Sequence, residues 1–276
     1  MPKNTKTVVI TGAGRGLGLE LARIHARQGF RLALSDIDTE SLKKVADAFQ
    51  QVGTEVLALP CDVRRSEDVQ KLLDHCVDRW GSLDRLINNA GVAVAGSIDA
   101  VPVEDWKWVL DINLMGVVHG CHAAARIMKS QGSGQIINIA SLAGLLTLPG
   151  MSAYNASKAA VVSLSETLHA ELAPWGIQVS VVCPSFFKTG LGRSLRCPDA
   201  GAASHLERLM QSSQLSASAI AEHIVQGVDH HELHILPHPQ GAYWWRLKRL
   251  SPGLYDLLMR RVAHKQYQHQ QRKNPK

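Results

Sequence analysis

Short runs of aliphatic and β-branched residues alternate along this chain with longer amphipathic stretches, and this alternation limits the possible folds more than any other feature. The runs predict strands at residues 7–11, 31–35, 55–59, 83–88, 134–140, 177–183 and 232–236. Apolar residues with helical spacing occupy residues 17–28, 39–52, 66–80, 103–128 and 152–173. Because strands joined by such helices form right-handed β-α-β units, we expect an α/β fold: a doubly wound parallel sheet of about seven strands with helices on both faces.

Charge is distributed unevenly along the 276 residues. The chain has 30 Lys and Arg against 24 Asp and Glu, a formal net charge of +6. Residues 241–276 contain nine of these basic residues and one acid, whereas residues 1–240 contain 21 basic and 23 acidic residues. We predict one domain over residues 1–240 and a basic amphipathic C-terminal extension over residues 241–276. Since the basic excess belongs to the extension, no nucleic-acid partner is expected.

Cysteine usage and hydropathy exclude several other classes of protein. The five cysteines are scattered and form no Cys-x-x-Cys pair, which argues against a disulfide framework and against a zinc site, so no metal is expected. A short polar start leads directly into the first predicted strand without a signal segment. No window reaches the roughly 18 uninterrupted apolar residues of a membrane span. These features are typical of a cytoplasmic protein.

A glycine-rich turn joins the first predicted strand to the first predicted helix. Its glycines are Gly12, Gly14, Gly16 and Gly18, in the pattern Thr-Gly-x-x-x-Gly-x-Gly. Glycines permit a tight turn and let the backbone approach a pyrophosphate at the positive N-terminus of a helix. The alternative is a strand-to-helix turn without a ligand. Its position at the carboxyl end of a strand favours nucleotide binding.

Polar residues after the next strands support this interpretation. Asp36 follows the second strand, where a carboxylate accepts hydrogen bonds from an adenosine ribose and repels a 2′-phosphate, so it favours NAD over NADP. Arg15 is a counterweight, because a guanidinium in the turn can bind a phosphate. Asp62 and Val63 follow the third strand, either as an adenine contact or as a simple turn. The segment 88–91, Asn-Asn-Ala-Gly, ends the fourth strand, where its amides can satisfy exposed backbone groups.

The candidate catalytic side chains come from the second half of the domain. Tyr154 and Lys158 are four residues apart on one predicted helix and share a face. We expect the ammonium to lower the pKa of the tyrosine from about 10, so that it exchanges a proton with an alcohol or carbonyl oxygen. Ser141, at the end of the fifth strand, can bond the same oxygen. Asn113 lies within a long predicted helix, where asparagine is unfavourable. It either has a buried polar role, such as holding a relay water, or faces solvent.

Together these residues resemble the short-chain dehydrogenase/reductase family in its short single-domain form. The resemblance covers roughly residues 5–190 and implies a Rossmann fold, a nicotinamide cofactor, and hydride transfer between that cofactor and an alcohol carbon. It implies that Tyr154 is the general acid/base and that Lys158 lowers its pKa and binds the nicotinamide ribose. Ser141 would orient the substrate and Asn113 would hold the relay water. The implied cofactor contacts are Gly12, Gly14, Arg15, Gly16, Leu17, Gly18, Asp36, Asp62, Val63, Asn89, Ala90, Gly91, Tyr154, Lys158, Pro184 and Thr189, the last at the carboxamide.

One position departs from the family pattern. Pro184 is followed by Ser185, where the family usually has glycine. Serine is less permissive in its backbone angles, which puts the local loop geometry in question. The next residue, Phe186, is a candidate for the wall of a substrate pocket.

The substrate and partners are constrained less tightly. The family resemblance implies a substrate lid at about residues 191–215, where apolar residues are mixed with arginines. These apolar residues either line the substrate pocket or pack the lid on the core. Apolar residues near the sheet edge, Val92, Val94, Leu142, Leu145 and Leu146, indicate a small hydrophobic alcohol or carbonyl substrate. NAD(H)-dependent oxidoreductase activity is the leading hypothesis; the alternatives are an NADPH-preferring carbonyl reductase and a non-catalytic nucleotide sensor. A homodimer or homotetramer is expected. The extension can contact a membrane surface, close over the substrate or pack on a subunit.

Overall fold

The central sheet has seven parallel strands in the order β3-β2-β1-β4-β5-β6-β7. The computed structural model describes residues 5–185, 187, 192, 194–198 and 215–273. The strands are β1 (Thr7–Thr11), β2 (Arg31–Asp36), β3 (Val56–Pro60), β4 (Arg85–Asn88), β5 (Gly134–Ile139), β6 (Ile177–Val182) and the short β7 (His234–Ile235). The predicted α/β class and doubly wound parallel sheet are confirmed, and every strand lies within two residues of its predicted limits.

Helices cover both faces of this sheet. They are α1 (Gly16–Arg27), α2 (Thr39–Gln51), α3 (Ser66–Trp80), α4 (Val103–Leu110), α5 (Gly116–Gln131), α6 (Ser152–Leu172), α7 (Ala217–Asp229), α8 (Pro239–Leu250) and α9 (Pro252–Lys273). The long helix predicted at residues 103–128 is divided, because a π-helical turn, Asp111–Met115, separates α4 from α5. No helix of the part that the structure describes is long and apolar enough to cross a membrane.

The alternation of side chains along β1 explains the two-layer core. Val8 and Ile10 pack with α1, α2 and α7 in one hydrophobic cluster, whereas Val9 packs with α3, α5 and α6 in the other. Successive strand residues point to opposite faces, so an uninterrupted apolar strand needs cover on both sides. Each fully buried Leu or Ile contributes about 1.5–3 kcal/mol to stability.

The sheet order places one crevice at the centre of the molecule. From β1 the chain proceeds outward through β2 to β3, then returns so that β4 pairs with β1 on the other side. The connections after β1 and β4 therefore leave the sheet in opposite directions, and ligands bind in such a crevice at the carboxyl ends of the strands.

The C-terminal extension rests on the domain through one side of α8. The indole of Trp245 packs against the core and its ring centroid lies 5.0 Å from that of His234. The side chain of Lys248 donates a hydrogen bond to the carbonyl of Leu145 at 2.7 Å. Tyr255, on α9, is buried. We retain the boundary near residue 240 as a proposal about domain organisation.

Candidate active site

A cavity of about 520 Å³ opens at the carboxyl ends of the central strands. It extends from the glycine-rich turn after β1 to the start of α6. Most of the candidate site residues lie along its wall: Gly12, Arg15, Gly16, Leu17, Asp36, Asp62, Val63, Asn89, Ala90, Gly91, Ser141, Tyr154, Lys158 and Pro184. Gly14, Gly18 and Asn113 lie behind the wall. Thr189 and Phe186 are outside the described residues, as is most of the expected lid at residues 191–215.

The glycine-rich turn is packed so closely that it excludes side chains. A Cβ atom on Gly18 would lie 2.2 Å from the carbonyl oxygen of Gly12 and 2.6 Å from the side-chain nitrogen, Nδ2, of Asn89. Gly12 itself has a φ of +64°, a left-handed conformation that favours glycine. The turn therefore brings bare backbone to the N-terminus of α1, which is the cradle that a pyrophosphate requires.

Asp36 is held against this turn. Its Oδ2 accepts a hydrogen bond from the backbone nitrogen of Gly14 at 2.9 Å, and its Oδ1 accepts one from the backbone nitrogen of Asp38 at 2.9 Å. A Cβ on Gly14 would lie 2.9 Å from the same Oδ2, so a larger residue at this position would displace the carboxylate. The carboxylate is thus fixed at the cavity wall beside the turn.

Arg15 forms an ion pair with Asp38, a residue that the sequence reasoning did not single out. Asp38 also caps α2 by accepting a hydrogen bond from the backbone nitrogen of Ser41 at 3.0 Å. Hydrogen bonds from Ser41 lower the pKa of this carboxyl, and the charge of Arg15 acts in the same direction. The guanidinium considered as a phosphate ligand therefore already has an anionic partner.

The ends of β1 and β4 are joined through Asn89. Its side-chain nitrogen donates to the carbonyls of Thr11 and Gly12, each at 2.9 Å. Its backbone nitrogen donates to the hydroxyl of Thr11 at 3.0 Å. The expected satisfaction of strand-end backbone groups is thus observed, and it fixes the floor of the crevice.

Asp62 forms an ion pair with Arg64, a contact that the sequence did not indicate. The guanidinium of Arg64 donates from Nε to both oxygens of the Asp62 carboxylate, at 2.9 and 3.0 Å. The hydrogen bond from Arg64 is the main reason why the pKa of Asp62 is lowered. Both residues line the cavity next to Val63.

The three candidate catalytic side chains meet at the other end of the cavity. Ser141 follows β5, and its hydroxyl accepts a hydrogen bond from the backbone nitrogen of Ala143 at 3.2 Å. Tyr154 and Lys158 project from successive turns of α6, with the lysine nitrogen 5.9 Å from the tyrosine ring centroid. That nitrogen donates to the carbonyl of Ile139 at 2.9 Å. A strand end and one helix face thus bring a hydroxyl, a phenol and an ammonium to one place.

Burial shifts both titrating groups in a way that corrects the sequence expectation. Burial raises the pKa of Tyr154 to about 12, and a hydrogen bond with Ser141 offsets only part of this shift. The expectation that Lys158 lowers the pKa of Tyr154 was wrong for the protein alone. Burial likewise lowers the pKa of Lys158 to about 8. A charged group loses hydration in the protein interior, and this cost is the largest influence on the pKa of both side chains.

Asn113 is fully buried in the π-helical turn between α4 and α5, so the solvent-facing alternative is excluded. Its side chain accepts a hydrogen bond from the backbone nitrogen of Val92 at 2.9 Å and donates to the carbonyl of Val92 at 3.0 Å. It also donates to the hydroxyl of Ser157 at 3.1 Å. Asn113 therefore ties the segment after β4 to α6, directly behind Gly91 and Lys158.

The serine at position 185 is accommodated without backbone strain. His231 is the only non-glycine residue in the described part of the chain with a positive φ, so Ser185 does not need the freedom of glycine. Its backbone nitrogen donates to Nδ1 of His238 at 3.1 Å. Burial lowers the pKa of His238, which keeps this nitrogen an acceptor. The residue before α8 thus supports the rim of the cavity.

The wall beside the catalytic side chains is apolar. Val92, Leu142 and Leu146 line it, as the sequence suggested, but Val94 and Leu145 do not and are buried in the hydrophobic core instead. Residues that the sequence did not distinguish from ordinary core complete the wall: Trp108, Ile112, Leu148, Met151 and Phe187. Only the fold brings these side chains to one place, because they come from separate elements.

A family model described as short chain dehydrogenase matches residues 6–199. The chain belongs to the short-chain dehydrogenase family. The chain is therefore a member of an oxidoreductase family with a nucleotide-binding Rossmann fold. This result confirms the resemblance inferred from the motifs.

Curated relatives and solved structures agree with this assignment. The chain is 39% identical over 189 residues to a CLA biosynthesis dehydrogenase/reductase of Lactiplantibacillus plantarum, a match that covers 67% of this chain and 66% of the relative. It is 34% identical to a cyclohexanol dehydrogenase of an Acinetobacter species, over 68% of this chain and 75% of the relative.

Two of the similar solved structures carry different cofactors. A short-chain dehydrogenase/reductase from Burkholderia phymatum in complex with NAD has a TM-score of 0.86 and 35% identity, and the match covers 91% of this chain and 95% of the other. A short-chain dehydrogenase from Sphingobium yanoikuyae in complex with NADPH has a TM-score of 0.76 and 29% identity, with the same coverage. The likeness therefore extends beyond residue 199 into the C-terminal part.

Proposed function

We propose that this protein is an NAD-dependent oxidoreductase that interconverts a hydrophobic secondary alcohol and its carbonyl compound. The observation that carries the proposal is that the wall of one cavity includes both the glycine-rich turn with Asp36 and the group formed by Ser141, Tyr154 and Lys158. A dinucleotide fits the first end and a small apolar substrate fits the second. Relatives of this chain include a cyclohexanol dehydrogenase and a D-beta-hydroxybutyrate dehydrogenase, which supports the reaction class.

The roles follow from the chemistry of the side chains. A nicotinamide cofactor would supply the hydride donor or acceptor at this site. Tyr154 carries the proton that the substrate oxygen gains in reduction and loses in oxidation, while Ser141 bonds and orients the same oxygen. Lys158 holds a positive charge beside the phenol and binds the cofactor ribose. Asn113 fixes the backbone around this group, and we retain its relay-water role as part of the proposal.

The activity is tested with purified protein, NAD and a panel of hydrophobic secondary alcohols, by absorbance of the reduced nicotinamide. We expect turnover to increase from short alcohols to cyclic or long-chain ones, because the substrate wall is lined by apolar side chains such as Trp108 and Met151. Tight NAD binding without turnover of any member of the panel would favour the nucleotide-sensor alternative.

Cofactor choice is the second test, and it rests on Asp36. A carboxylate held by two backbone nitrogens at this position repels a 2′-phosphate. We expect Asp36→Ala to lower the ratio of kcat/KM for NAD to that for NADP by about tenfold or more. Asp36→Asn keeps an acceptor for Gly14 and removes the charge, so it should lower the ratio in the same way.

The matched control for this test is Glu40→Ala, which removes an exposed acid from α2. It should leave the ratio unchanged. If wild-type protein already prefers NADP, the runner-up function, an NADPH-preferring carbonyl reductase, replaces the leading one. In that case Arg15 or Arg64 is the phosphate ligand to test next.

The raised pKa of Tyr154 predicts different pH dependences for alcohol oxidation and carbonyl reduction. Oxidation of an alcohol needs the phenolate, and its fraction rises about tenfold per pH unit below the pKa. Reduction needs the phenol, which stays protonated up to a pKa of about 12. We expect kcat/KM for oxidation to rise between about pH 6 and pH 8, while that for reduction stays nearly constant. A marked fall of kcat/KM for reduction between about pH 6 and pH 8 would contradict the assignment of Tyr154, because a phenol with this pKa stays protonated over that range.

Two further proposals concern the protein as a whole. We propose a homodimer or homotetramer, as is general in this family.

We also propose a reducing, cytoplasmic location, supported by four buried thiols, Cys61, Cys76, Cys121 and Cys183. Burial raises the pKa of each to about 12, which keeps them protonated and unreactive.

A further inference from the structure

The last two helices expose a face that combines apolar and basic side chains. On α8, Tyr243, Arg246 and Leu250 recur at helical spacing, and Leu250 is 85% exposed and Tyr243 65% exposed. On α9, Leu254, Leu257 and Arg261 recur in the same way. We call this set of exposed residues the outer face; its members are Tyr243, Arg246, Arg249, Leu250, Leu254, Leu257, Arg261 and Lys265.

The charge of the outer face is largely uncompensated. Residues 241–276 contain nine Lys and Arg and one acid, Asp256. Among the side chains of α8 and α9 that the structure describes, Arg260 alone forms an ion pair, with Asp256 at 2.9 Å. Arg249 stacks on Trp245, 5.1 Å from its ring centroid, and has no carboxylate there. A surface of opposite charge would complement this face.

The opposite side of α8 and α9 packs against the domain. Lys248 is bonded to Leu145, and a Cβ on Gly241 would lie 3.0 Å from the side chain of Leu142. Tyr255 is only 5% exposed. These contacts fix the rotation of α8 about its axis, so the outer face points away from the domain and is not needed to hold the helices in place.

We propose that the outer face docks on the surface of an anionic phospholipid bilayer. Arginine and lysine are attracted to anionic headgroups, while tyrosine and leucine side chains enter the headgroup boundary, as in other interfacial amphipathic helices. Contact between the outer faces of two copies is disfavoured, because both extensions carry the same positive charge. The domain over residues 1–240 has a net charge of −2, so the attraction resides in the extension.

Docking would place a particular end of the cavity near lipid. Helix α8 contacts Leu142 and Leu145. Leu142 lines the apolar end of the cavity together with the nearby Leu146 and Leu148. A hydrophobic alcohol partitions into a bilayer, so a docked enzyme would be close to its substrate. This step rests on the proposed function, whereas the docking itself does not.

The test measures co-sedimentation of the full chain with vesicles, without substrate or turnover. Vesicles of phosphatidylcholine and phosphatidylserine at a ratio of about 7:3 should bind the protein, pure phosphatidylcholine should not, and salt should weaken the binding. A variant with Arg246→Gln, Arg249→Gln and Arg261→Gln should bind at least about tenfold more weakly. Leu250→Ser with Leu254→Ser should weaken binding while leaving the charge unchanged.

The matched control removes three positive charges from the domain instead, with Lys43→Gln, Lys44→Gln and Lys71→Gln. It should bind the anionic vesicles like the wild type. Equal binding by the control and the arginine variant would overturn the proposal, as would equal binding to both lipid compositions. A third outcome would also overturn the proposal: the wild type does not bind vesicles, and the arginine or leucine variant has a different oligomeric mass. The outer face would then be a subunit interface.

Discussion

The Tyr154→Phe variant is expected to lose about two to four orders of magnitude in kcat while keeping its affinity for NAD. Phenylalanine fills the same volume on α6 and leaves the adjacent Lys158 bonded to the carbonyl of Ile139. It removes the only hydroxyl on that side chain, and with it the proton exchanged with the substrate oxygen. Steady-state kinetics and a direct NAD titration measure the two quantities separately.

A second tyrosine provides the control for this experiment. Tyr255 is also buried, but it lies on α9 outside the cavity. Tyr255→Phe should therefore leave kcat within about twofold of the wild type. Full activity of Tyr154→Phe would refute the assigned proton carrier, whereas a loss of both NAD binding and activity would indicate that the variant disturbs the fold of the site.

The Gly18→Ala variant is expected to weaken NAD binding by about five- to 150-fold, because overpacking costs about 1–3 kcal/mol. The added methyl would lie 2.2 Å from the carbonyl oxygen of Gly12 and 2.6 Å from the side chain of Asn89. Both are parts of the turn and of the crevice floor, so the turn must open to admit it. Calorimetric titration with NAD measures the effect, and thermal unfolding measures any accompanying loss of stability.

The control substitution is Gly253→Ala on α9. A Cβ there meets no atom within 4 Å, and alanine is the better helix former by about 1 kcal/mol. We therefore expect unchanged NAD affinity and equal or slightly higher stability. If Gly18→Ala binds NAD like the wild type, the close packing of this turn does not govern the cofactor site.

The strands and helices were predictable because their signals are local. β1 and α3 have the bounds that the residues alone indicated, Thr7–Thr11 and Ser66–Trp80. An uninterrupted apolar run needs cover on both faces, and an amphipathic stretch closed by Gly81 needs no distant partner to end. The π-helical turn around Asn113 was not predictable, because hydrogen bonds to Val92 and Ser157, distant in sequence, stabilise it.

The sequence predicted which residues form the candidate site, but it did not predict their contacts or their pKa values. Motif spacing singled out Ser141, Tyr154 and Lys158, which the fold does bring together. It did not indicate Asp38 as the partner of Arg15, since that contact joins the glycine-rich turn to the start of α2.

By itself, the sequence determined the parallel α/β architecture, the glycine-rich turn and the concentration of positive charge in residues 241–276. These depend on periodicity, backbone freedom and charge, which are properties of neighbouring residues. Only the tertiary structure decided that the pKa of Tyr154 is raised, that Ser185 fits without strain, and that α8 contacts Leu142 at the apolar end of the cavity. Each of these depends on burial or contact between residues far apart in the chain, and burial is a property of the folded molecule alone.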